Sequence, residues 1–253
     1  MDNTQRFSDR VENYVKYRPG YPVEMLRFLE EMLELSPKKK VADIGSGTGK
    51  LTELLLKEGY TVDAVEPNQP MRAAAEQLLS KYPGFTSIDG TAEATTLPDQ
   101  SYDFIVAGQA FHWFDPEQTR QEFQRILRPE AWVVLVWNER DTQAPFLQDY
   151  EQFLQTYAQD YAQVVHRNVD EQVFEKFYSL KGYSVKSFSY TQQFDLAGIR
   201  GRYLSSSYAY TETHPNYIEA MEQLAKIFAT HAHDGTVAMN YITNVYYGQF
   251  TDL

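Results

Sequence analysis

The chain has 253 residues, of which 43% are apolar and 15% aromatic, enough to build one or two hydrophobic cores. It carries 23 lysines and arginines against 35 aspartates and glutamates, and residues 1–140 and 141–253 each have a net charge of −6. The densest basic run is only Lys38 to Lys40. We therefore expect no nucleic-acid partner, because nucleic-acid-binding proteins concentrate positive charge where they contact phosphates.

The chain shows no sign of membrane insertion or of cysteine chemistry. No apolar run approaches the roughly 18 residues of a membrane span, and the first ten residues lack the apolar segment of a signal peptide. We therefore expect a cytoplasmic protein that binds no membrane. We also expect it to be a monomer or a homodimer. The absence of cysteine excludes disulfides, thiolate nucleophiles and iron–sulfur clusters.

Short apolar runs alternate with helical periodicity over the first 140 residues. The runs predict five strands, at Val41–Ile44, Thr61–Glu66, Phe85–Ile88, Tyr102–Ala107 and Trp132–Trp137. Apolar residues at helical spacing predict three helices, at Thr48–Glu58, Pro70–Tyr82 and Pro116–Leu127. Regular alternation of strand and helix favours a parallel α/β sheet with right-handed crossovers.

The pattern changes after Arg140, where 13 of the 19 tyrosines lie. Two long helices are predicted, at Phe146–Gln163 and Asn216–Thr230. Two tyrosine-rich strands, at Val185–Phe194 and Thr236–Gln249, are expected to pair and close the edge of the sheet. Because no repeat and no long linker interrupts the chain, we expect a single domain.

The strongest local signal is a glycine-rich turn, GSGTGK at 45–50, directly after the first predicted strand. A P-loop is excluded, since the spacing is one residue too short and Leu51 follows Lys50. A dinucleotide site stays open, although Lys50 stands where its third glycine belongs. Glu66 ends the second predicted strand, 19 residues beyond Gly47, where an acid binds ribose hydroxyls in both dinucleotide and S-adenosylmethionine sites. A plain turn between strand and helix is the remaining alternative.

Asp43 separates these alternatives further. A carboxylate at the buried end of the first strand costs several kcal/mol unless it is paired. The ammonium and sulfonium groups of S-adenosylmethionine suit an acid here, whereas NAD would bring its pyrophosphate to this turn. The alternative is an aspartate bonded only to loop amides.

Four motifs in chain order resemble class I S-adenosylmethionine-dependent methyltransferases: VADIGSGTG at 41–49, VEPN at 65–68, GTAEATTLPDQSYDFIVAGQAFHWFD at 90–115 and LRPEAWVVLVWNERD at 127–141. FSDR at 7–10, YVKYRPGYP at 14–22 and HWFD at 112–115 resemble, more narrowly, the trans-aconitate methyltransferase-like group of small-molecule enzymes. The resemblance implies a doubly wound, mostly parallel seven-stranded sheet of Rossmann-like methyltransferase fold, in the order 3-2-1-4-5-7-6 with the last strand antiparallel. It divides the single methyltransferase domain into an N-terminal lid (1–22), a cofactor-binding core (36–140) and cap helices with closing strands (141–253).

The resemblance also implies which residues bind the methyl donor. The glycine turn passes beneath its amino-acid part, Glu66 binds the ribose, and the residues near 91–93 hold the adenine. The predicted cofactor-binding residues are Tyr14, Arg18, Asp43, Gly45, Ser46, Gly47, Glu66, Pro67, Asn68, Met71, Thr91, Ala92, Glu93, Gln109 and Ala110. The chain departs from many relatives at Thr91, where they carry aspartate, and at Pro129-Glu130-Ala131, where they carry a Gly-Gly turn after proline.

The acceptor side is predicted from chemistry. A carboxylate acceptor needs cationic groups to hold it, whereas a hydroxyl or amine benefits from a base. His112 is the candidate catalytic residue, as base or orienting donor, with a structural histidine as the alternative. The predicted substrate-binding residues are Tyr17, Tyr21, Trp113, Asn138 and Arg140, and Trp132 and Trp137 are expected in the core. On the same resemblance Arg18 belongs to the lid and reaches either the donor's carboxylate or an acidic acceptor, with a solvated arginine at a simple turn as the alternative. For Arg140 the alternative is a surface salt bridge with Asp141.

No metal is expected, because the segment His231-Ala232-His233-Asp234 lacks a third ligand at a recognisable spacing. The sequence thus predicts methyl transfer from S-adenosylmethionine to a small molecule, either a carboxylic acid or a hydroxylated metabolite. A nicotinamide-dependent oxidoreductase and a non-catalytic donor-binding protein are the alternatives. A blocked cavity beside His112 would indicate the non-catalytic donor-binding protein.

Overall fold

The computed structural model describes residues 11–161, 171–178 and 182–250. Its strands are β1 (Lys40–Ile44), β2 (Thr61–Val65), β3 (Phe85–Ile88), β4 (Tyr102–Gly108), β5 (Leu127–Arg140), β6 (Ser184–Phe194) and β7 (Val237–Gln249). Its helices are α1 (Val11–Tyr17), α2 (Val23–Leu33), α3 (Lys50–Lys57), α4 (Gln69–Leu79), α5 (Pro116–Ile126), α6 (Pro145–Tyr157), α7 (Glu171–Tyr178), α8 (Leu196–Leu204) and α9 (Tyr217–His231), with a short 3-10 helix at Phe111–Trp113.

The seven strands form one sheet in the order β3-β2-β1-β4-β5-β7-β6, which confirms the predicted topology. Strands β1 to β5 pair in parallel, and β7 runs antiparallel to both β5 and β6. The strand order reverses between β1 and β4. The loops after these two strands therefore diverge and leave a crevice at their carboxyl ends, where α/β proteins bind ligands.

The predicted strands are all present, with β5 longer at both ends than expected. Its first residue, Leu127, pairs with Tyr102, and Glu130 takes a φ of 62° in the Pro129-Glu130-Ala131 turn. The helix predicted at Phe146–Gln163 is wrong at its end, since α6 stops at Tyr157. Ala158 forms a bridge with Ala209 instead, which extends the backbone there. Residues 162 and 163 lie outside the described residues.

Helices α1, α2, α7 and α8 were not predicted. The amphipathic helix α2 buries Met25, Leu26, Leu29 and Leu33 against one face of the sheet. Part of the expected lid, residues 1–10, lies outside the described residues. The described part, helix α1, packs on α8.

Three hydrophobic clusters hold the fold together. Two cover the opposite faces of the sheet, as the strands buried on both sides require. The third joins the cap helices α6, α8 and α9 to strand β7. The cap is therefore continuous with the edge of the sheet and borders the crevice. None of the helices among the described residues is long and apolar enough to cross a membrane.

Candidate active site

A cavity of about 650 Å³ lies beyond the carboxyl ends of the central strands and beneath the cap. All the residues predicted for the donor site line it, as do His112, Tyr21, Trp113, Asn138 and Arg140. Tyr17 is not among the lining residues. Its ring packs against α8 so closely that a Cβ at Gly201 would lie 2.0 Å from Tyr17 Cε2.

The backbone conformation of the glycine turn requires glycine at three positions. Gly45, Gly47 and Gly49 have φ values of 69°, 58° and 82°, a region that other residues rarely adopt. A Cβ at Gly45 would also lie 2.7 Å from the Cβ of Ala110. The turn between β1 and α3 can therefore lie against the loop after β4 and leave the cavity open.

Glu66 binds the backbone of the two loops that follow β1 and β2. One carboxylate oxygen, Oε2, accepts from the Gly47 N–H at 2.8 Å, and Oε1 accepts from the Asn68 N–H at 2.7 Å. Burial raises the pKa of Glu66, while these two amides oppose the shift. A carboxylate has further lone pairs beyond two hydrogen bonds, so Glu66 retains acceptors for ribose hydroxyls.

Asp43 is fully buried and incompletely satisfied. Its Oδ2 accepts from Thr52 Oγ1 at 2.5 Å, whereas Oδ1 has no hydrogen-bond partner among the described residues. Burial, opposed by the Thr52 hydroxyl and reinforced by Glu66, raises the pKa of Asp43 to about 7. The hydroxyl of Thr52, and not a loop amide, is its partner. The unpartnered oxygen fits a cationic group such as the donor's ammonium and disfavours a pyrophosphate.

The predicted adenosine end is built from α4 and the loop after β3. Asn68 caps α4 by accepting from the Met71 N–H at 3.0 Å, and Glu93 accepts from the Asp115 N–H at 2.8 Å. Glu93 thereby ties the segment at 91–93 to the loop that carries His112. No metal cluster of three or more His, Asp or Glu side chains occurs among the described residues.

His112 lies in the wall of the cavity, on the short 3-10 helix. Its ring centroid is 4.6 Å from that of Trp113 and 5.6 Å from that of Trp137. Trp137, expected only in the core, is 5% exposed and also lines the cavity. The space beside His112 is open, which disfavours a blocked acceptor pocket.

Asn138 supports this wall with both ends of its amide. Its Nδ2 donates to the Gly20 carbonyl at 2.9 Å, and its Oδ1 accepts from Thr243 Oγ1 at 2.6 Å. Its backbone N–H donates to the side chain of Gln109 at 2.8 Å. Asn138 thus joins the chain before α2 to β5 and β7. The hydroxyl of Tyr21 lies close by, where a Cβ at Gly108 would be.

Three arginines meet at the end of the cavity beneath the cap, and we call Arg18, Arg140 and Arg202 the arginine cluster. Arg140 donates to Glu151 Oε2 at 2.9 Å and to the Tyr161 hydroxyl at 2.5 Å, rather than pairing with Asp141. The Nε atoms of Arg18 and Arg140 are buried and have no partner among the described residues.

The other two arginines bind only neutral groups. Arg202, 3% exposed, donates to the Tyr241 hydroxyl at 3.1 Å and to Ser206 Oγ at 3.2 Å. Arg18 donates to the Ser205 carbonyl at 3.2 Å. In the part of the chain that the structure describes, neither guanidinium forms an ion pair with a carboxylate. Burial and the nearby Arg202 lower the pKa of Arg18, which indicates uncompensated positive charge.

Sequence reasoning missed most of this end of the cavity. The missed lining residues of the cap region are Thr142, Glu151, Tyr161, Arg202, Ser207, Tyr208 and Tyr241. The only sequence signal for this region was the tyrosine enrichment after Arg140, and it does not specify which side chains point into a cavity.

Comparison with known proteins agrees with the geometry. Residues 42–135 match the family described as a methyltransferase domain. An uncharacterized methyltransferase of Mycobacterium tuberculosis is 29% identical over 245 residues, covering 96% of this chain and 94% of that protein. An uncharacterized methyltransferase of Geobacillus sp. is 30% identical over 148 residues, covering 54% of this chain and 68% of that protein. The chain is a class I S-adenosylmethionine-dependent methyltransferase. Its cofactor is S-adenosyl-L-methionine.

Two solved structures share the fold of this methyltransferase. One, named as a type II methyltransferase of Anaeromyxobacter dehalogenans, aligns with a TM-score of 0.68 at 20% identity, covering 94% of this chain and all of that one. A SAM-dependent methyltransferase of Aquifex aeolicus aligns with a TM-score of 0.51 at 19% identity, covering 70% of this chain and 90% of that one. The predicted oxidoreductase alternative finds no support in these comparisons.

Proposed function

We propose that this methyltransferase transfers a methyl group to a carboxylate of a small anionic acceptor. The observation that carries the proposal is the arginine cluster, in which Arg18 and Arg202 have no carboxylate partner among the described residues. Partly or fully buried guanidinium groups are costly when uncompensated, and planar carboxylates are their preferred ligands. The donor's own carboxylate would balance only one of these guanidinium groups, so an anionic acceptor would supply the remaining charge.

The size of the cavity restricts the acceptor. About 650 Å³ has to hold both the donor and the acceptor, and small-molecule sites span roughly 300–1,000 Å³. The unpartnered oxygen of Asp43 and the acceptor oxygens of Glu66 would take the donor's ammonium and ribose at one end. The acceptor then has only the remaining space between His112 and the arginine cluster. A small metabolite fits this division, and the narrower resemblance to the trans-aconitate methyltransferase-like group predicts the same class.

In this reaction the protein has chiefly to align the acceptor carboxylate with the methyl group of the donor. S-adenosylmethionine supplies an electrophilic methyl group, and a carboxylate is already ionised at neutral pH, so no residue has to remove a proton. The arginine cluster would hold the acceptor, and Trp113 and Trp137 would restrict its position. Lys50, at the glycine turn, donates to the Val15 carbonyl at 2.8 Å and keeps α1 over the donor site. Such covering excludes water from the reacting groups.

Ligand-dependent stability tests which cofactor the protein binds, and product formation then tests whether it is an enzyme. S-adenosylhomocysteine at about 100 times its dissociation constant is expected to add about 2.7 kcal/mol of stability, a rise in Tm of roughly 5–10 °C. NADH should give no rise.

Incubation with S-adenosylmethionine and four- to six-carbon di- and tricarboxylic acids, followed by mass spectrometry, should then yield a methyl ester that mild base hydrolyses. Equal methylation of the matched neutral diamides, or a base-stable ether product, would contradict a carboxylate acceptor.

His112 is expected to act on the acceptor. We predict that His112→Ala lowers kcat about tenfold or more and leaves the dissociation constant of S-adenosylhomocysteine within about twofold, because positioned polar groups contribute chiefly in the transition state. His112→Gln, which keeps a side-chain donor, should lose less if the residue only orients the acceptor. A large loss of S-adenosylhomocysteine affinity in either variant would place His112 in the donor site instead.

A further inference from the structure

The turn after β3 that lines the cavity leads into a strained backbone. Thr91 and Ala94 close this turn, since the Thr91 N–H donates to the Ala94 carbonyl at 3.2 Å and the Ala94 N–H donates to the Thr91 carbonyl at 3.3 Å. Two residues later Thr96 has a φ of 63°, in the left-handed region that β-branched residues rarely adopt. A strained backbone of this kind persists only where surrounding contacts hold it in place.

Glu122 of α5 holds the backbone next to Thr96. The fully buried Thr95 donates its N–H to Glu122 Oε1 at 2.8 Å and its hydroxyl to the same oxygen at 2.5 Å. The hydroxyl oxygen of Thr95 also accepts from the Leu97 N–H at 3.2 Å. One carboxylate oxygen thus fixes Thr95 at the junction between the turn at 91–94 and the strained residue.

Arg125 keeps this carboxylate charged and in position. Its Nε donates to Glu122 Oε2 at 2.8 Å, its Nη2 donates to Glu122 Oε1 at 2.7 Å, and its Nη1 binds Asp99. Burial would raise the pKa of Glu122, but the hydrogen bonds from Arg125 and Thr95 outweigh burial and lower it. A guanidinium that forms two hydrogen bonds with a carboxylate fixes both its distance and its orientation.

The turn at 91–94 is placed to meet the base of the donor. With the ammonium at Asp43 and the ribose at Glu66, the adenine would lie beyond Glu66, where residues 91–93 line the cavity. Ala92, in the middle of this stretch, is 4% exposed. Backbone N–H and C=O groups select one base over another only when they are held within about 0.5 Å of the right position. Glu122 itself does not line the cavity, so it acts on a bound donor only through Thr95.

We propose that Glu122 is a positioning residue, which fixes the turn at 91–94 and so makes the donor site selective for adenine. The inference concerns the donor and does not depend on which acceptor is methylated. Without the carboxylate, the N–H and the hydroxyl of Thr95 lose their acceptor, and Thr96 is free to leave the left-handed region. The turn then loses its fixed shape, whereas Asp43 and Glu66 still bind the amino-acid and ribose parts. Removal of Glu122 therefore lowers selectivity for the base, and not affinity alone.

The test compares two ligands by titration calorimetry. S-adenosylhomocysteine carries adenine, and S-inosylhomocysteine carries a carbonyl oxygen in place of the adenine amino group. The wild-type protein is expected to bind S-adenosylhomocysteine about 30-fold or more tightly, because a polar site rejects an analogue that leaves its hydrogen-bonding groups unpaired. The ratio of the two dissociation constants is the readout, since a loss of stability alone affects both ligands equally.

Two substitutions of Thr95 form a matched pair. Thr95→Val should lower the ratio about fivefold or more, because valine has the shape of threonine but cannot donate to Glu122. Thr95→Ser keeps the hydroxyl and should keep the ratio within about twofold of the wild-type value. These two variants decide the proposal even if a substitution of Glu122 prevents folding.

The substitutions of Glu122 test the other side of the same contact. Glu122→Ala removes the acceptor of both Thr95 hydrogen bonds and should abolish most of the preference for adenine. Glu122→Gln keeps a side-chain oxygen that can accept from Thr95, and it should retain more of the preference. The control is Tyr102→Phe, which loses a buried hydrogen bond of 2.5 Å to Asp63 where β4 begins. This control should lower Tm and leave the ratio unchanged.

Three outcomes would overturn the role of Glu122. They are equal binding of the two ligands by the wild-type protein, an unchanged ratio in Thr95→Val and Glu122→Ala, and a ratio that falls as far in Thr95→Ser as in Thr95→Val. None of them bears on the proposed acceptor, which is tested by the methyl ester product. A protein that shows the expected ratios but methylates no acid would refute the proposed function alone.

Discussion

Glu66→Gln is expected to weaken the binding of S-adenosylhomocysteine about 100-fold or more. Both carboxylate oxygens accept backbone N–H groups, from Gly47 at 2.8 Å and from Asn68 at 2.7 Å. Glutamine turns one acceptor into an NH₂ group that faces an N–H, and hydrogen bonds to charged groups contribute about 1.5–3 kcal/mol each. The substitution also removes a ribose acceptor. Titration calorimetry measures the change.

A matched variant separates this effect from general loss of charge. Glu76 is an exposed carboxylate on the neighbouring helix α4, where it accepts from Ser87 Oγ at 2.7 Å. Glu76→Gln should bind S-adenosylhomocysteine as the wild-type protein does. Unaltered affinity in Glu66→Gln, with the ligand-free Tm as a check on folding, would remove Glu66 from the donor site.

Arg140→Met is expected to lower kcat/KM for a carboxylate acceptor about 100-fold or more, mainly through KM. Its buried Nε is available to the acceptor, and a guanidinium binds a carboxylate with two hydrogen bonds that methionine lacks. Affinity for S-adenosylhomocysteine should change little. Steady-state kinetics with varied acceptor concentration measures the change in kcat/KM. Calorimetry with S-adenosylhomocysteine measures the affinity for the donor site.

Loss of stability must be distinguished from loss of binding in this variant. Arg140→Met removes the guanidinium that binds Glu151 and Tyr161. The Glu151 carboxylate then keeps only the hydrogen bond from the Tyr161 hydroxyl, which is expected to cost about 1–3 kcal/mol of stability. Combining it with Glu151→Gln removes the unpaired charge, so the double variant should regain stability but not acceptor affinity. Arg128→Met is the control, since Arg128 binds Asp103 at the opposite end of the sheet. Recovery of kcat/KM in the double variant would show that Arg140 only supports the fold.

The residues at the proposed donor end of the cavity were predictable because their sequence signals are local. The apolar run of β1 leads directly into a turn whose glycines require positive φ, and Glu66 ends the next strand. Parallel pairing of β1 with β2 brings these two strand ends together whatever the rest of the chain does. Alternation of strands and helices indicated only a parallel α/β sheet, whereas the order of its strands was implied by the resemblance to class I methyltransferases.

Other predictions failed where local pattern and packing disagree. Helical periodicity continues past Tyr157, but pairing of Ala158 with Ala209 ends α6. Tyr17 belongs to a tyrosine-rich motif near the site, yet its ring fills the space above Gly201. In both places a contact with a residue far along the chain outweighs the local preference.

The amino-acid sequence by itself determined the parallel sheet, the glycine turn and the position of Glu66, because each depends on neighbours within one strand–turn–helix unit or on the pairing of adjacent strands. Only the tertiary structure decided the acceptor end. Arg18, Arg140, Arg202, Tyr208 and Tyr241 come from separate elements and meet through the packing of the cap on β7. Their electrostatic properties depend on distance and burial: burial and the neighbouring Arg202, which lies on α8, lower the pKa of Arg18, and neither cause is visible in the local sequence.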